Sequence, residues 1–455
     1  MSLFIVGIDV TIINVALPTI NDDLHPGVSG LQWVIDAYML VLASFMLLSG
    51  STADRIGRRR TFQIGLLVFV VGSAACGLST TIGELIACRV LQAIGGSMLN
   101  PVALSIIRNI FTDSAQRARA LGIWSAAFGL AMGVGPLIGG VILGLGWGWR
   151  PIFWVNVPIG LAAIVLTQLF VPESRARIPR RFDMAGQLLS IAFLATLIYA
   201  IIEVPHRGWL SAPVASSFCI SLVSLAALIV VEVHRCEPLV SVRLFANRAF
   251  SVACLITVLT FASFSGLLWI NTLYLQDVRG ETAFVAGLLM TPMSAMALLS
   301  SPIAGALTAR HGNRPPLMAS GIMLLASGLM MTVLQPDTRL WWLLGAYVIF
   351  GAGFGLIGPP VNATALEGLP AAQAGVAGAL AATFRQIGQA LGVAIVGSIV
   401  AAGLHGSLRT GLIGASHPVW WIIAACGILV IILSLAEDRR IPAARSHVTG
   451  IQGNA

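Results

Sequence analysis

Four ionisable residues lie inside long uncharged stretches of this 455-residue chain: two acids, Asp9 and Asp36, and two arginines, Arg89 and Arg385. A charged side chain inside an apolar membrane helix costs about 2.5–3.5 kcal/mol on insertion scales, so each should face a partner or a water-filled cavity. A carboxyl group in apolar surroundings can exchange protons. The acids are therefore candidates for proton binding, and the arginines need acidic or carbonyl partners.

The first stretch reads Asp9-Val-Thr-Ile-Ile-Asn14-Val-Ala-Leu-Pro18. Asp9 is a candidate for coupling to protons; alternatively, Asn14 or another helix fixes it in a packing role. Arg89 lies in Leu85-Ile-Ala-Cys-Arg89-Val-Leu-Gln92. The expected partner of Arg89 is Asp9 or Asp36, because an intramembrane arginine requires a counter-charge.

Asp36 lies in Gln32-Trp-Val-Ile-Asp36-Ala-Tyr38, about one turn from the end of its stretch. Burial would favour its neutral form and allow proton exchange near neutral pH. Equally, it could be an interfacial acid that simply reaches water. Arg385 has no evident acidic partner; contacts with Gln386 or backbone carbonyls, or an anionic ligand, are open interpretations.

The composition defines the elements that must position these residues. Hydrophobic residues make up 57% of the chain and charged residues 10%, against about 25% charged residues in ordinary soluble domains. No soluble fold can hide that much apolar surface. The composition excludes a soluble enzyme, a disordered chain and a nucleic-acid-binding domain, and it predicts a protein embedded in a lipid bilayer.

Uncharged runs of about 20 residues, the length of one membrane crossing, recur along the whole chain. Since lipid offers no partner for free backbone groups, each should be a helix. The fourteen predicted spans are 2–20, 31–50, 61–79, 84–105, 120–144, 151–171, 184–203, 213–232, 250–274, 282–307, 317–335, 340–362, 375–402 and 418–436.

The arginines predict the orientation of these spans. All 26 basic residues are arginine. Alternate loops and the tail hold 19 of them, the opposite loops hold five, and Arg89 and Arg385 lie within spans. The arginine-rich side is expected to be cytoplasmic, and an even number of spans then places both termini there. Asp9 interrupts the first apolar run and no basic segment precedes it, so we do not interpret it as a secretory signal.

Two loops repeat at an offset of 255 residues. Gly50-Ser-Thr-Ala-Asp54-Arg55-Ile-Gly57-Arg58-Arg59 matches Gly305-Ala-Leu-Thr-Ala309-Arg310-His-Gly312-Asn-Arg314 in two glycines and two arginines. The repeat predicts two pseudo-symmetric six-helix bundles, a transporter architecture. We expect an all-α integral membrane protein with bundles at 1–172 and 249–436, two inserted helices at 173–248, and a cytoplasmic tail at 437–455.

Two motifs indicate conformational roles. In the first loop, Gly57 permits a tight turn, and Asp54 can accept hydrogen bonds from a helix end or an arginine. In the fifth span, Pro136 removes a backbone donor and kinks the helix. The small residues around it, Gly135, Gly139 and Gly140, allow close contact with a facing helix.

These motifs, in this order, resemble the major facilitator superfamily, specifically its fourteen-span drug:proton antiporters. Two further stretches carry the same resemblance: Trp149-Arg150-Pro-Ile-Phe153-Trp-Val-Asn156-Val-Pro158 and Glu237-Pro238-Leu-Val-Ser-Val-Arg243. The resemblance implies that the Gly50–Arg59 loop is a gating latch and that Arg89 takes part in proton transfer. It also implies that the Gly135–Gly140 motif marks exporters, and that the protein lies in a bacterial plasma (inner) membrane.

Other chemistry has little support in the sequence. The six cysteines are scattered without metal-ligand spacing, and no phosphate-binding GxxxxGK[ST] motif is present. We expect no cofactor, no metal and no enzymatic activity.

The functional hypothesis is proton-coupled efflux of small amphipathic, cationic compounds by alternating access, with protons and a small-molecule substrate as ligands and no nucleic acid. The alternatives are an exporter of an endogenous metabolite with the same fold and a non-transporting membrane sensor. Some members of the family work with a periplasmic adaptor protein, and the sequence leaves open whether this protein has such a partner.

Overall fold

The computed structural model describes residues 1–111, 113–175, 183–235, 242–366 and 374–436. The predicted tail, 437–455, lies outside the described residues, as do three arginines of the predicted linker, Arg177, Arg180 and Arg181.

The described residues form sixteen α-helices joined by turns. They are α1 (Ser2–Leu24), α2 (Gly27–Ile56), α3 (Arg58–Cys76), α4 (Ile82–Ile110), α5 (Ser114–Gly144), α6 (Pro151–Trp154), α7 (Asn156–Phe170), α8 (Met184–Arg207), α9 (Ala212–His234), α10 (Arg248–Leu273), α11 (Ala283–His311), α12 (Arg314–Met331), α13 (Leu340–Gly355), α14 (Gly358–Leu366), α15 (Ala374–Gly403) and α16 (Leu408–Leu435). A π-helical turn, Tyr274–Val278, continues α10.

Thirteen helical stretches of the described chain are long and apolar enough to cross a membrane, counting α6 with α7 and α13 with α14 as single crossings. The prediction of an all-helical, multi-pass membrane protein is therefore confirmed. The predicted span 317–335 overlaps α12, an 18-residue helix that begins Arg-Pro-Pro and is not among these thirteen. The number fourteen stays a prediction.

Two predicted spans are not single continuous helices. A turn at Val155 separates α6 from α7, and α13 ends at Gly355 before α14 begins. Prolines follow both breaks: Pro158 in the first case, Pro359 and Pro360 in the second. Since proline has no N–H, the carbonyl four residues earlier loses its helical donor, which explains why regular hydrogen bonding stops there.

The two ends of the helical bundle differ in composition. One end, called here the arginine end, contains the α2–α3 turn with Arg58, Arg59 and Arg60 and the α11–α12 turn. The other, the tryptophan end, exposes Trp147, Trp209 and Trp341 by 69%, 69% and 63% in or beside its loops. Tryptophan is favoured at the boundary between lipid and water, so we infer that the tryptophan end lies at one surface of the membrane.

The same helix pairings occur in both parts of the chain. In the first part α1 packs on α5, α2 on α4 and α3 on α7; in the second α10 packs on α15, α11 on α13 and α12 on α16. The contacts between the parts are mainly α2 with α15 and α5 with α11. A repeated-half architecture predicts such a pattern, although the two-fold relation itself stays a prediction. We call α1–α7 the first half and α10–α16 the second half.

The halves touch toward the tryptophan end. Gln276 of the π-helical turn donates to the Val15 carbonyl of α1 at 2.9 Å. On the α5–α11 side, the backbones approach so closely that a Cβ added to Gly140 would lie 2.6 Å from the Cα of Phe284. Gly140 of the predicted motif therefore lies at a close contact between the halves.

Replacing Gly140 by leucine should disrupt this contact. Because the neighbouring atom is backbone and cannot rotate away, we expect a loss of about 1–3 kcal/mol of stability, measured as a lower thermal unfolding midpoint in detergent. The matched control is Gly144→Leu on the same helix, where an added Cβ meets nothing within 4 Å. Equal midpoints for the two variants would contradict the close-contact interpretation.

Candidate functional site

The centre of the first half contains a fully buried ion pair. Arg89 of α4 lies 2.6 Å from the Oδ2 atom of Asp9 of α1, and their side chains are 0% and 1% exposed. Local sequence sets the register of α4, because Thr81 and Glu84 form a reciprocal cap at its start. Of the two partners expected for Arg89, the structure brings Asp9 to it and not Asp36.

The second oxygen of Asp9 is also satisfied. Its Oδ1 atom accepts hydrogen bonds from Gln92 of α4 at 2.7 Å and from Asn156 of α7 at 2.9 Å. Gln92 in turn accepts a hydrogen bond of 2.8 Å from Arg89. An arginine and two amide donors therefore surround the Asp9 carboxyl group, and both of its oxygens are hydrogen-bonded.

Arg89 connects this network to a third helix. Its Nε donates to the Val34 carbonyl of α2 at 3.2 Å. Its guanidinium lies 3.9 Å from the centre of the Tyr38 ring, also of α2, a favourable cation–π distance. One arginine therefore joins α1, α2 and α4, and α7 is attached through Asn156.

The sequence did not single out Gln92 or Asn156 as site residues. Both are 0% exposed. Asn156 is the first residue after the break between α6 and α7, and it also donates to Ser73 of α3 at 3.1 Å. An uncharged amide in an apolar stretch was the available signal, since a buried amide needs partners.

Asp36 has a different environment from Asp9. It is 0% exposed, and within the described residues neither of its oxygens has a hydrogen-bond partner. One turn earlier on the same helix face, Gln32 donates to the Ala394 carbonyl of α15 at 3.0 Å, across the boundary between the halves. The sequence left open that Asp36 is an interfacial acid in contact with water. In this structure its side chain is buried instead.

Two other predicted residues lie apart from this network. Asn14 donates to the Val10 carbonyl of its own helix at 2.8 Å and does not fix Asp9. Arg385 of α15 lies with its guanidinium 5.7 Å from the centre of the Phe261 ring of α10. In neither case does the structure bring the residue to the Asp9–Arg89 pair.

The predicted gating loop forms a tight turn at the arginine end. Gly57 has φ 113°, a conformation that favours glycine. Asp54, in the last turn of α2, pairs at 3.4 Å with Arg58, the first residue of α3. The start of α3 is instead capped by Glu173, whose carboxylate accepts from the backbone N–H groups of Arg59 at 3.1 Å and Arg60 at 3.2 Å. The sequence did not predict this role of Glu173.

The glycine-rich motif of α5 packs on both sides. A Cβ added to Gly139 would lie 2.9 Å from Ile12 of α1. Pro136 leaves the Met132 carbonyl without its helical donor, and Ser294 of α11 donates to that carbonyl at 3.2 Å. A hydroxyl group of the second half thus replaces the backbone donor that proline lacks in the first.

Within the described residues, no group of three or more histidine, cysteine or acidic side chains could hold a metal ion. What the site offers is one buried ion pair, one buried acid without a donor, and a close boundary between two sets of helices. These features define a class of protein: multi-pass membrane transporters built from two helical halves.

The comparisons with known proteins identify the family. Residues 1–393 match the family model described as Major Facilitator Superfamily, and the chain belongs to that family. Its fold is similar to that of a D-xylose-proton symporter, with a TM-score of 0.66 and 15% identity over 95% of this chain and 94% of that one.

Three curated relatives are similar in sequence. The multidrug resistance protein Stp of Mycobacterium tuberculosis is 35% identical over 90% of this chain and 76% of its own length. The tetracenomycin C resistance and export protein of Streptomyces glaucescens is 32% identical over 88% and 74%. The riboflavin transporter RibZ of Clostridioides difficile is 32% identical over 97% and 96%.

Breaking the buried pair should be costly. Replacing Arg89 by glutamine leaves a buried carboxylate without its counter-charge, and such changes typically cost about 3–5 kcal/mol. We expect a markedly lower unfolding midpoint in detergent, partly restored in the double variant Asp9→Asn/Arg89→Gln.

The control for this experiment is Arg150→Gln. Arg150 and Asp23 form a pair of 2.9 Å whose side chains are 38% and 45% exposed, so its loss should cost about 0–1 kcal/mol. If Arg89→Gln melted no lower than this control, the buried pair would not be the main support of the first half.

Proposed function

We propose that this protein is a proton-coupled efflux transporter that exports small amphipathic, cationic compounds by alternating access, as a member of the fourteen-span drug:proton antiporters. The observation that carries the proposal is the pair of contrasting acids: Asp9 satisfied by three donors, and Asp36 buried without one. The names of the Stp and tetracenomycin C relatives support efflux of drug-like molecules.

The arginine end is the cytoplasmic end, and both termini lie on that side of a bacterial plasma membrane. The positive-inside rule supports this orientation, and so do the exposed tryptophans of the opposite end. Since the halves touch toward the tryptophan end, this conformation is closed on the external side.

Asp36 is the residue that exchanges the coupling proton. A buried carboxylate with neither donor nor cation is strongly disfavoured, and the neutral acid avoids that cost. While Asp36 is shielded from water on both sides, it is therefore protonated. When the external side opens, water reaches it; when the cytoplasmic side opens, it releases the proton and can attract a cationic substrate.

This scheme gives the direction of transport. A ligand shifts two conformations only by its different affinity for them. A proton taken up from outside neutralises Asp36, weakens the hold on a cation, and favours return to the externally closed conformation. Because the single carboxyl group of Asp36 binds either the proton or the cationic substrate, one proton is exchanged for one substrate molecule.

Asp9 and Arg89 have a supporting role in this scheme. Protonation of Asp9 would require it to lose Arg89, because a neutral acid no longer balances the buried guanidinium. The sequence analysis left proton coupling to Asp9, Asp36 or both, and we assign it to Asp36. Asp9, Arg89 and Asn156 hold together the helices around Asp36. Asp54 and Gly57 shape the cytoplasmic gate.

A second candidate is a transporter of an endogenous metabolite. It is favoured by the riboflavin transporter RibZ, which matches this chain over almost the full length of both proteins. Asp36 would then face a neutral or cationic group of the metabolite. A growth-inhibition panel, with and without the expressed protein and with and without a protonophore, separates the two candidates. Drug efflux predicts protection against several cationic compounds that the protonophore abolishes.

The variant Asp36→Asn tests the coupling directly. Asparagine mimics the neutral acid but cannot release a proton, so efflux of a cationic dye from proteoliposomes driven by a pH gradient should fall at least tenfold, roughly the effect of about 1.4 kcal/mol. The unfolding midpoint should not fall, because no hydrogen bond to Asp36 is lost. The control is Asp23→Asn, an exposed acid outside this site. Undiminished dye efflux by Asp36→Asn would remove Asp36 from the coupling mechanism.

A further inference from the structure

The two inserted helices, α8 and α9, form a hairpin held together by side chains. Ser221 of α9 donates to the Phe193 carbonyl of α8 at 3.2 Å. Near the arginine end, Arg235 pairs with the buried Asp183 at 3.1 Å. These contacts at two levels indicate that the hairpin moves as one unit.

Helix α8 packs against both halves at once, against α2 of the first and α15 of the second. These are two of the helices that meet at the boundary next to Gln32, whose side chain reaches the Ala394 carbonyl. When the external side opens, α2 and α15 must separate there. A rigid α8 cannot keep its contacts with both.

The side-chain contacts with α2 extend along the whole of α8. Near the arginine end, Gln187 donates to the Ser44 carbonyl at 2.7 Å. Further along, the rings of Tyr199 and Trp33 lie 6.3 Å apart. At the tryptophan end, His206 Nε2 and Ser29 Oγ lie 2.5 Å apart. Three residues of α2, Ser29, Trp33 and Ser44, therefore contact α8 along its length.

A side-chain hydrogen bond joins α15 to α8 near the tryptophan end. Ser398 donates to the Ile201 carbonyl at 2.6 Å. That carbonyl is free because Pro205, four residues later, has no N–H. The hydrogen bond can therefore break and re-form without disturbing the helical hydrogen bonds of α8.

We propose that the inserted hairpin is a strap that is fixed to the first half and releases the second half during transport. It stabilises the externally closed conformation through the contact between Ser398 and the Ile201 carbonyl, and that contact breaks when the external side opens. The inference depends on alternating access but not on the identity of the substrate or on proton coupling.

Cross-linking tests which half the strap follows. In a variant whose native cysteines are replaced, one pair (Ser29→Cys with His206→Cys) joins α8 to α2, and another (Ile201→Cys with Ser398→Cys) joins α8 to α15. Each pair is bridged with a short bis-methanethiosulfonate reagent and then released with reductant. Since the halves rock against each other, the α8–α15 bridge should reduce dye efflux at least about tenfold and reversibly, whereas the α8–α2 bridge should leave it within about twofold. Loss of efflux with the α8–α2 bridge, or full efflux with the α8–α15 bridge, would overturn the proposal.

A second measurement needs no transport, so its result does not depend on the substrate or on proton coupling. Ala394→Cys places a thiol at the α2–α15 boundary, where the native side chain is 0% exposed. Labelling of this thiol by a membrane-impermeant maleimide reports external opening. Adding Ser398→Ala removes the hydrogen bond from α15 to the strap. Labelling should become about threefold faster, the population shift that corresponds to one modest interhelical hydrogen bond.

The control for the labelling experiment is Ser263→Ala, because the Ser263 hydroxyl donates to the Leu259 carbonyl of its own helix, α10, at 2.8 Å and takes no part in the strap contact. This variant should label like the parent. Identical labelling rates for Ser398→Ala and Ser263→Ala would show that the strap does not hold the external side closed.

Discussion

The arrangement of helices in the first half of the molecule depends on one interaction, the ion pair between the buried side chains of Arg89 and Asp9. Lipid cannot solvate Arg89, and the side chain is 0% exposed, so its partners must come from other helices. They come from α1 through Asp9 and from α2 through the Val34 carbonyl. Once these partners are in place, the relative positions of the helices are largely determined. The α6–α7 break follows the same logic, because it places Asn156 beside the remaining oxygen of Asp9.

Buried backbone carbonyls also need hydrogen-bond partners, and those that lack a helical donor mark the contacts that can break and re-form during a conformational change. Pro136 and Pro205 each free a carbonyl, of Met132 and of Ile201, and in each case a serine from another unit donates to it. Such interhelical hydrogen bonds average about 0.6 kcal/mol in membranes, whereas removing one partner of a buried ion pair costs about 3–5 kcal/mol. The weak contacts lie between units and the strong network lies within one half. A conformational change therefore separates the units and leaves the half intact.

The sequence predicted the features that depend on charge and apolar length. The all-helical membrane class, the tight turn at Gly57 and the pairing of Arg89 with one of two acids follow from the high cost of charges and free backbone groups in lipid. The sequence left Gln92, Asn156 and Glu173 unassigned, because an uncharged amide or a loop acid gives no distinctive periodic signal. The alternative in which Asn14 fixes Asp9 does not describe this structure, since the Asn14 amide reaches the Val10 carbonyl of its own helix. Which acid pairs with Arg89 depends on the packing of three helices, and spacing along one chain does not encode that.

The two halves use equivalent helix pairings for different chemistry. The offset of the repeated loops, 255 residues, also separates Gln92 of α4 from Tyr347 of α13. Gln92 donates to the carboxylate of Asp9, whereas the Tyr347 hydroxyl donates to the amide oxygen of Asn271 at 2.5 Å. The first pairing carries a permanent charge and the second is neutral. Because a neutral hydroxyl–amide pair does not change charge near neutral pH, this place in the second half cannot respond to protons. In the proposed function the proton acts instead at Asp36 of the first half, and the second half takes part through the contacts at the boundary.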